Sequence, residues 1–259
     1  MSMRSKERRA LLLEALALGE IDVDDVAARL NVSASTVRRD LQALSATRAV
    51  RRTYGGAILA GHPVETTLTE RMAVNGPEKL AIARRAIALV EDGDTLILDA
   101  GSTVAAFGQV LAGRRLRIVT NNLALLPALA EAPGIELVVL GGALRATSMS
   151  TVGPLAVEAL RLMTADHVVL SADGVVAERG LCEASLDQVA LKSLMMRQAR
   201  GVIVLADASK LGRAEQNAWA PLPQRWTLVT DAGAPRDQLQ RLAEAGAAVL
   251  VGHSAARKI

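Results

Sequence analysis

The chain has 259 residues, of which 51% are hydrophobic, and it carries a formal net charge of +3. This composition indicates a globular protein, and the length favours one large domain or two unequal ones. Its apolar runs fall short of the roughly 18 residues that a membrane span needs, and Glu14 interrupts the apolar stretch that a signal peptide would require. We therefore expect a soluble, cytoplasmic protein with no membrane contact.

The sequence predicts neither a metal site nor a cofactor. Cys182 is the only cysteine, which fits a reducing compartment. His62, His167 and His253 lie far apart and have no carboxylate or cysteine at ligand spacing. The glycine-rich motifs that bind dinucleotides or nucleoside triphosphates, G-x-G-x-x-G and G-x-x-x-x-G-K-[ST], do not occur.

Residues 1–62 form a basic head. They hold ten basic and seven acidic side chains, so they account for the entire formal net charge of +3. The head contains three predicted helices, at residues 5–18, between Asp22 and Asn31, and at residues 34–46. Asp22 is the expected N-cap of the second helix and Ser33 that of the third. So short a turn between the second and third helices is typical of a helix-turn-helix.

The third helix has two chemically distinct faces. Val37, Leu41 and Leu44 recur at helical spacing and predict a core stripe. The polar side chains expected to contact DNA are Ser35, Thr36, Arg38, Arg39 and Gln42. Arginine can pair with guanine or phosphate, and glutamine and serine can read base edges. The alternative is an ordinary solvated face with no ligand.

Residues 49–57 predict a β-hairpin wing after the third helix. Arg51 and Arg52 would supply phosphate contacts beside the recognition helix, and Gly55 and Gly56 permit a tight reversal. Because one short helix buries little DNA surface, we expect a homo-oligomer, at least a dimer, whose paired heads share two half-sites on double-stranded DNA.

Two stretches of the head resemble the signature of the DeoR family of bacterial regulators. They are VAARLNVSASTVRRDL at 26–41 and RTYGGA at 52–57. Tyr54 stands where the family usually has histidine, and the glycine that the family usually has near Arg48 is missing. The resemblance implies operator DNA as the partner, with repression as the commoner outcome.

The rest of the chain alternates strands with helices. A helix is predicted at residues 78–91. Apolar strands are predicted at 95–98, 116–119, 136–140, 168–170, 202–205, 226–229 and 248–251. Helices are predicted near 103–112, 122–131, 153–163, 186–199 and 235–245. This alternation indicates an α/β domain with a mainly parallel sheet covered on both faces. We expect a winged helix-turn-helix domain at 1–57, a linker at 58–75 and the α/β domain at 76–259.

Polar residues follow five of the predicted strands, at the edge where α/β sheets bind ligands. The expected effector-binding residues are Asp99, Gly101, Ser102, Thr103, Thr120, Asn121, Gly141, Gly142, Asp173, Gly174, Lys192 and Lys210. Glycine N–H groups, hydroxyls and helix N-termini suit an anion, and a lysine ammonium suits a phosphate. The alternative is that these residues form ordinary turns and caps and that both lysines are solvated.

The family resemblance extends through these loops and covers about nine-tenths of the chain. It rests on DAGST at 99–103, TNN at 120–122, DG at 173–174 and DASK at 207–210. Asn122 departs from the serine that is commoner there. The resemblance implies a ribose-5-phosphate-isomerase-like fold and a phosphorylated sugar or related metabolite as effector, in a regulator of carbohydrate metabolism genes.

Two other functions remain open on sequence alone. The first is a sugar-phosphate isomerase with an accessory DNA-binding head. Its possible acid–base residues are Asp99, Asp173, Glu183, Asp187 and Lys192. The second is a DNA-binding scaffold that senses nothing. The recognition helix and wing favour a regulator without catalytic residues over the first, and the polar loops disfavour the second.

Overall fold

The computed structural model describes residues 5–17, 21–46, 50–52, 56–59 and 65–253. Its contacts divide the chain into two compact units. The head unit comprises Met1–Glu65 with Glu215–Asn217, and the large unit comprises Thr66–Ala214 with Ala218–Ile259. Within the described ranges, no helix is long and apolar enough to cross a membrane.

The head unit is a winged helix-turn-helix. Its elements are α1 (Ser5–Ala17), β1 (Ile21–Asp22), α2 (Val23–Leu30), α3 (Ala34–Ala46), β2 (Val50–Arg52) and β3 (Gly56–Leu59). β3 pairs antiparallel with both β1 and β2, which forms the wing. Asp22 caps α2 by accepting from two backbone N–H groups. Ser33 Oγ accepts from the N–H of Thr36 at 3.2 Å, so both predicted caps are confirmed.

The core of the head unit holds the three helices together. Leu12 and Leu16 of α1 pack with Val26 of α2 and with Val37 and Leu41 of α3, and all five are buried. The predicted stripe of α3 therefore faces the core, and its polar face is left for solvent or a ligand.

The large unit is built on a seven-stranded parallel sheet. Its strands are β4 (Thr95–Leu98), β5 (Leu116–Thr120), β6 (Ile135–Val139), β9 (Ala165–Leu170), β12 (Ala199–Leu205), β14 (Trp226–Asp231) and β15 (Ala247–Gly252). They lie side by side in the order β15-β14-β12-β9-β4-β5-β6, and every neighbouring pair is parallel. All seven predicted strands are confirmed within a few residues of their expected bounds.

Helices cover both faces of this sheet. They are α5 (Gly76–Ala86), α6 (Ser102–Gln109), α7 (Leu126–Leu129), α8 (Pro154–Arg161), α9 (Leu186–Arg197) and α10 (Arg236–Glu244). Leu96 and Leu98 of β4 belong to one buried cluster, with α5, α6 and α7. Ile97 belongs to the other, with α8, α9 and α10. Alternate residues of a strand point to opposite faces, so each face has its own core.

Several short elements were not predicted. They are β7 (Ala143–Arg145), β8 (Ser150–Val152), β10 (Gly174–Val176), β11 (Gly180–Glu183), β13 (Ala218–Ala220) and α4 (Leu68–Ala73). α4 lies within residues 58–75, which were expected to be a linker, and it belongs to the large unit. It forms because Thr67 and Glu70 make a reciprocal capping box and Leu68 is buried. The predicted helix at 78–91 is also shorter, since α5 ends at Ala86 and a 3-10 turn follows.

Candidate functional site

The strand order reverses between β4 and β9. From β4 the chain proceeds to β5 and β6 on one side, and later to β9, β12, β14 and β15 on the other. Such a switch point leaves a crevice at the carboxyl ends of the two strands, where α/β sheets bind ligands. A cleft that is open to solvent lies here. Its lining consists of Arg71, Asp99, Ala100, Gly101, Ser102, Thr103, Ser148, Ser171, Ala172, Asp173, Glu183, Gln188, Lys192 and Lys210.

The turn from β4 into α6 forms one wall of the cleft. Gly101 has φ +127°, and a Cβ there would lie 2.1 Å from Ser171 Oγ, so only glycine fits. Ser102 and Thr103 open α6 immediately afterwards. The first N–H groups of a helix have no partner within it, and together with the helix dipole they favour an anion.

Two side chains hold this turn in place. Asn122 Nδ2 donates to the carbonyl of Asp99 at 3.2 Å and to that of Gly101 at 3.3 Å. Ser171 Oγ donates to the carbonyl of Ala100 at 3.0 Å. The asparagine that departs from the family pattern therefore ties the end of β5 to the wall of the cleft.

Lys192 lies at the centre of an acidic cluster and is 2% exposed. Its Nζ donates to Asp99 Oδ2 and to the carbonyl of Ser171, and it lies 2.9 Å from Glu183 Oε1. All three side chains of this ion-pair cluster are buried. Two carboxylates thus share one buried ammonium.

This environment shifts the pKa values of the cluster. Burial raises the pKa of Glu183 to about 7; the charge of Lys192 opposes this rise, and Asp173 and Asp99 add to it. Burial alone would lower the pKa of Lys192, but Asp99 and Glu183 outweigh it and hold that pKa above its ordinary value. Lys192 is therefore charged at neutral pH, whereas Glu183 titrates near it.

Arg71 brings α4 to the cleft. Its Nη1 lies 3.4 Å from Asp173 Oδ1, and both side chains are mostly buried. Lys79 of α5 is itself buried, and its Nζ donates to the carbonyls of Arg71 and Val74 at the end of α4. Burial is the main reason that the pKa of Lys79 is lowered. The short helix is thus fixed at its C-terminal end.

Lys210 differs from Lys192 and Arg71 in that it forms no ion pair with a described carboxylate. It ends the 3-10 turn after β12, in which the side chain of Asp207 accepts from the N–H of Ser209. The structure places no carboxylate of the described residues within 4.0 Å of its ammonium, in contrast to Lys192 and Arg71. Its charge is available to an anion in the cleft.

Five of the predicted effector residues do not line the cleft: Thr120, Asn121, Gly141, Gly142 and Gly174. Thr120 Oγ1 donates to the carbonyl of Leu98 at 2.6 Å, and Asn121 Nδ2 donates to that of Thr151 at 3.0 Å. Gly142 has φ +140°, and a Cβ there would lie 2.4 Å from the Val152 carbonyl oxygen. A Cβ on Gly174 would lie 2.0 Å from the Arg213 carbonyl oxygen. These contacts are structural.

The sequence did not point to several residues of the lining. Arg71 lies in the expected linker, and Ser148 lies between two short strands that have no period to detect. Glu183 was considered only as a possible acid or base. Gln188 precedes Lys192 by one helical turn, so the i, i+4 spacing on α9 was the one available signal.

The head unit exposes the predicted polar face of α3. Arg38, Arg39, Gln42 and Ser35 are exposed. Thr36 is half-buried, and its hydroxyl lies 2.8 Å from Ser33 Oγ. Arg51 and Arg52 belong to β2, but their side chains lie outside the described part of the chain, as do Tyr54 and Gly55.

Asp40 anchors this helix to α1. It is 2% exposed and accepts from Arg8 Nε, from Arg9 Nε at 3.2 Å and from Ser5 Oγ at 3.2 Å. Burial would raise the pKa of Asp40, but the hydrogen bonds from Arg8 and Arg9 outweigh it and hold the pKa below its usual value. The polar face of α3 is thus presented on a fixed support.

Comparison with known proteins assigns each unit a counterpart. Residues 74–232 match the family model described as the DeoR C terminal sensor domain, and residues 8–62 match the DeoR-like helix-turn-helix domain. The HTH-type transcriptional repressor GlcR of Bacillus subtilis is 34% identical over 88% of this chain and 89% of its own length. The lactose phosphotransferase system repressor of Lactococcus lactis is 30% identical over 88% of this chain and 92% of its own.

Among solved structures, ribose 5-phosphate isomerase A from Methanocaldococcus jannaschii is 22% identical. The alignment covers 52% of this chain and 54% of the isomerase, with a TM-score of 0.39. A likeness of this extent has no bearing on function.

Proposed function

The chain belongs to the DeoR family of transcription regulators, and from this premise we propose that it represses carbohydrate metabolism genes and that a phosphorylated sugar or related metabolite modulates its affinity for operator DNA. It would act in the cytoplasm, where α3 and the wing bind operator DNA and the cleft of the large unit binds the effector. The observation that carries the sensing part is the cleft itself, in which Lys210 and the N-terminus of α6 offer an anion site beside buried carboxylates.

The exposed arginines of α3 support the DNA-binding part. Loss of a base-reading arginine costs roughly 1–3 kcal/mol at the correct site. We therefore expect Arg38→Ala/Arg39→Ala to lose at least tenfold affinity for genomic fragments that carry the operator. Arg161→Ala/Arg200→Ala removes the same charge from exposed positions of the large unit and is the matched control. Equal affinities of the two double variants would remove the assignment of α3.

For the effector, we propose that Ser102, Thr103 and Lys210 receive the phosphate group and that Asp99 and Asp173 face the hydroxyls. Lys192 already contacts two carboxylates, so its role would be to fix Asp99 in position. This assignment rests on the contacts within the cleft and on the chemistry of anion binding at a helix N-terminus.

Thermal unfolding with a panel of phosphorylated sugars and polyols tests this proposal. A ligand present at 100 times its Kd stabilises the folded state by about 2.7 kcal/mol. We expect Lys210→Met to lose most of the rise in unfolding temperature that the ligand causes. Arg225→Met changes an exposed residue outside the cleft and should keep this rise. If no phosphorylated compound raised the unfolding temperature or altered operator affinity, the sensing part would fail.

We also propose that the protein is at least a dimer, because two recognition helices are needed to read two half-sites. Sedimentation at micromolar concentration, with and without operator DNA, should show a dimer or a larger oligomer. Detection of monomer alone under both conditions would contradict the proposal. For the isomerase alternative, we expect a coupled assay on aldose phosphates to remain far below about 1 turnover per second, an ordinary rate for an enzyme.

A further inference from the structure

Gln188 has a side chain whose hydrogen bonds are not satisfied within the described structure. It lies in the first turn of α9 and lines the cleft. Its Oε1 atom is buried, yet no described residue donates to it. An unpaired buried polar group is costly, so a group retained in this state invites a functional explanation.

The side chains of Ser171, Ser148 and Lys192, which also line the cleft, differ in this respect. Ser171 donates to Ala100, Ser148 shares a 2.8 Å hydrogen bond with Ser150, and Lys192 binds its two carboxylates. Their hydrogen bonds build the wall. The carboxamide of Gln188, by contrast, is left for a molecule that enters the cleft.

The position of Gln188 is fixed by its helix. It precedes Lys192 by four residues, so the two lie on the same face of α9, about 6 Å apart along the axis. Leu191 and Met195 follow Gln188 at i+3 and i+7 on the same side of α9 and are buried in the core, and Lys192 is held by Asp99 and Glu183. The amide therefore stands at a set distance from the acidic cluster.

The chemistry of an amide limits what it can read. A carboxamide both donates and accepts, and it carries no charge. It suits a hydroxyl, which also donates and accepts, better than it suits a phosphate, for which Lys210 and the start of α6 are available. The two kinds of group divide the cleft into an anion end and a hydroxyl end.

We propose that Gln188 is a specificity-determining residue, which hydrogen-bonds a hydroxyl on the carbon chain of the effector and so selects a phosphorylated polyhydroxy compound over simpler phosphates. This inference rests on the proposed sensing function. A site that hydrogen-bonds a ligand hydroxyl discriminates strongly against analogues without it, because its own polar group is then left unpaired.

Binding titrations on the full chain test the inference. The probes are inorganic phosphate, glycerol 3-phosphate, ribose 5-phosphate, glucose 6-phosphate and glucitol 6-phosphate, with deoxy analogues of the compound that binds best. Gln188→Met keeps the shape and removes the amide. We expect it to bind the best compound about tenfold more weakly and to bind inorganic phosphate as the wild type does. Gln240→Met, at an exposed position of α10, is the control.

The deoxy analogues provide the sharper readout. One of them should bind the wild type about tenfold more weakly than the parent compound, and Gln188→Met should bind both equally, as a double-mutant cycle requires. Unchanged affinity of Gln188→Met for every probe would overturn the inference, as would an equal loss for inorganic phosphate. If the wild type bound no phosphorylated probe at all, the sensing function would itself fail, and this inference with it.

Discussion

Glu183 and Asp99 face a single ammonium, that of Lys192, inside the large unit. At the scale of the residue this arrangement leaves one buried negative charge in excess when both carboxylates are ionised. Burial and the neighbouring acids raise the pKa of Glu183 to about 7 for that reason. Protonation of Glu183 at mildly acid pH removes this excess negative charge. An anion that enters the cleft would also favour the protonated form of Glu183.

The stability of the protein should therefore depend on pH through Glu183. Its folded pKa of about 7 lies above its ordinary value of 4.5, so the folded state binds more protons between these values and the free energy of unfolding falls as pH rises through this window. This loss develops across the window and is complete above about pH 7. We expect Glu183→Gln, which cannot titrate, to gain stability relative to the wild type between pH 5 and 8 in urea unfolding.

Asp187→Asn provides the comparison, because Asp187 is an exposed carboxylate on the same stretch of chain. The free energy of unfolding of Asp187→Asn should differ from that of the wild type by the same amount at every pH between about 5 and 8. A constant difference for Glu183→Gln as well would show that Glu183 does not carry the titration.

In the head unit, the buried carboxylate of Asp40 stabilises the packing of α3 against α1. Replacing Asp40 by asparagine removes the negative charge that Arg8 and Arg9 bind in a buried position. Such a loss lowers the free energy of unfolding by about 1–3 kcal/mol. We expect Asp40→Asn to lower the protection of α1 and α3 amides against hydrogen exchange and to weaken operator binding. Asp25→Asn, an exposed change of the same kind, should alter neither.

At the scale of the element, α4 is the helix that the sequence analysis did not predict. A helix of six residues is too short to show a period, and its stability comes from the capping box of Thr67 and Glu70 and from Lys79. The same reason explains why β7, β8, β10, β11 and β13 were missed, whereas the seven buried parallel strands are continuous apolar runs and were all predicted.

α4 is also the first helix of the large unit after the wing strand β3, which ends at Leu59. Because Arg71 ties α4 to Asp173 in the cleft, we expect Arg71→Gln to reduce the effect of the effector on operator affinity. The usual coupling of about 5–150-fold should shrink toward none at saturating effector, while affinity for DNA without effector is retained. The measurement is a DNA titration with and without the best-binding phosphorylated compound.

Arg84→Gln, an exposed change on α5, should leave this coupling intact. Full coupling in Arg71→Gln, measured at a concentration of effector that saturates the variant, would mean that α4 does not transmit the signal.

At the scale of the whole molecule, the sequence located the correct edge of the sheet but not the part of it that forms the cleft. Five loops were expected at the carboxyl edge, and strand order decides which of them meet. The loops that follow β4, β9 and β12 contribute Asp99, Asp173 and Lys210 to the cleft, whereas Thr120 and Gly142 lie outside its lining. Strand order is a long-range property, and local residue patterns do not contain it.

Nor did the sequence reveal the role of Lys192. Its charge was expected to meet a phosphate, but α9 packs so that the ammonium reaches Asp99 and Glu183 instead. In the head unit, by contrast, the faces of α3 follow directly from helical spacing, and the exposed arginines lie where the pattern predicted.

The cleft draws its lining from positions as far apart as Arg71 and Lys210, and this has a consequence for turnover of the protein in the cell. No fragment of the large unit contains a complete site, so a ligand that fills it binds only molecules in which the whole unit is assembled. Bound effector should therefore slow proteolysis at every cleavage site of the large unit by one common factor, 1 + [ligand]/Kd, wherever cleavage requires global opening. A cell rich in the effector would then accumulate the regulator.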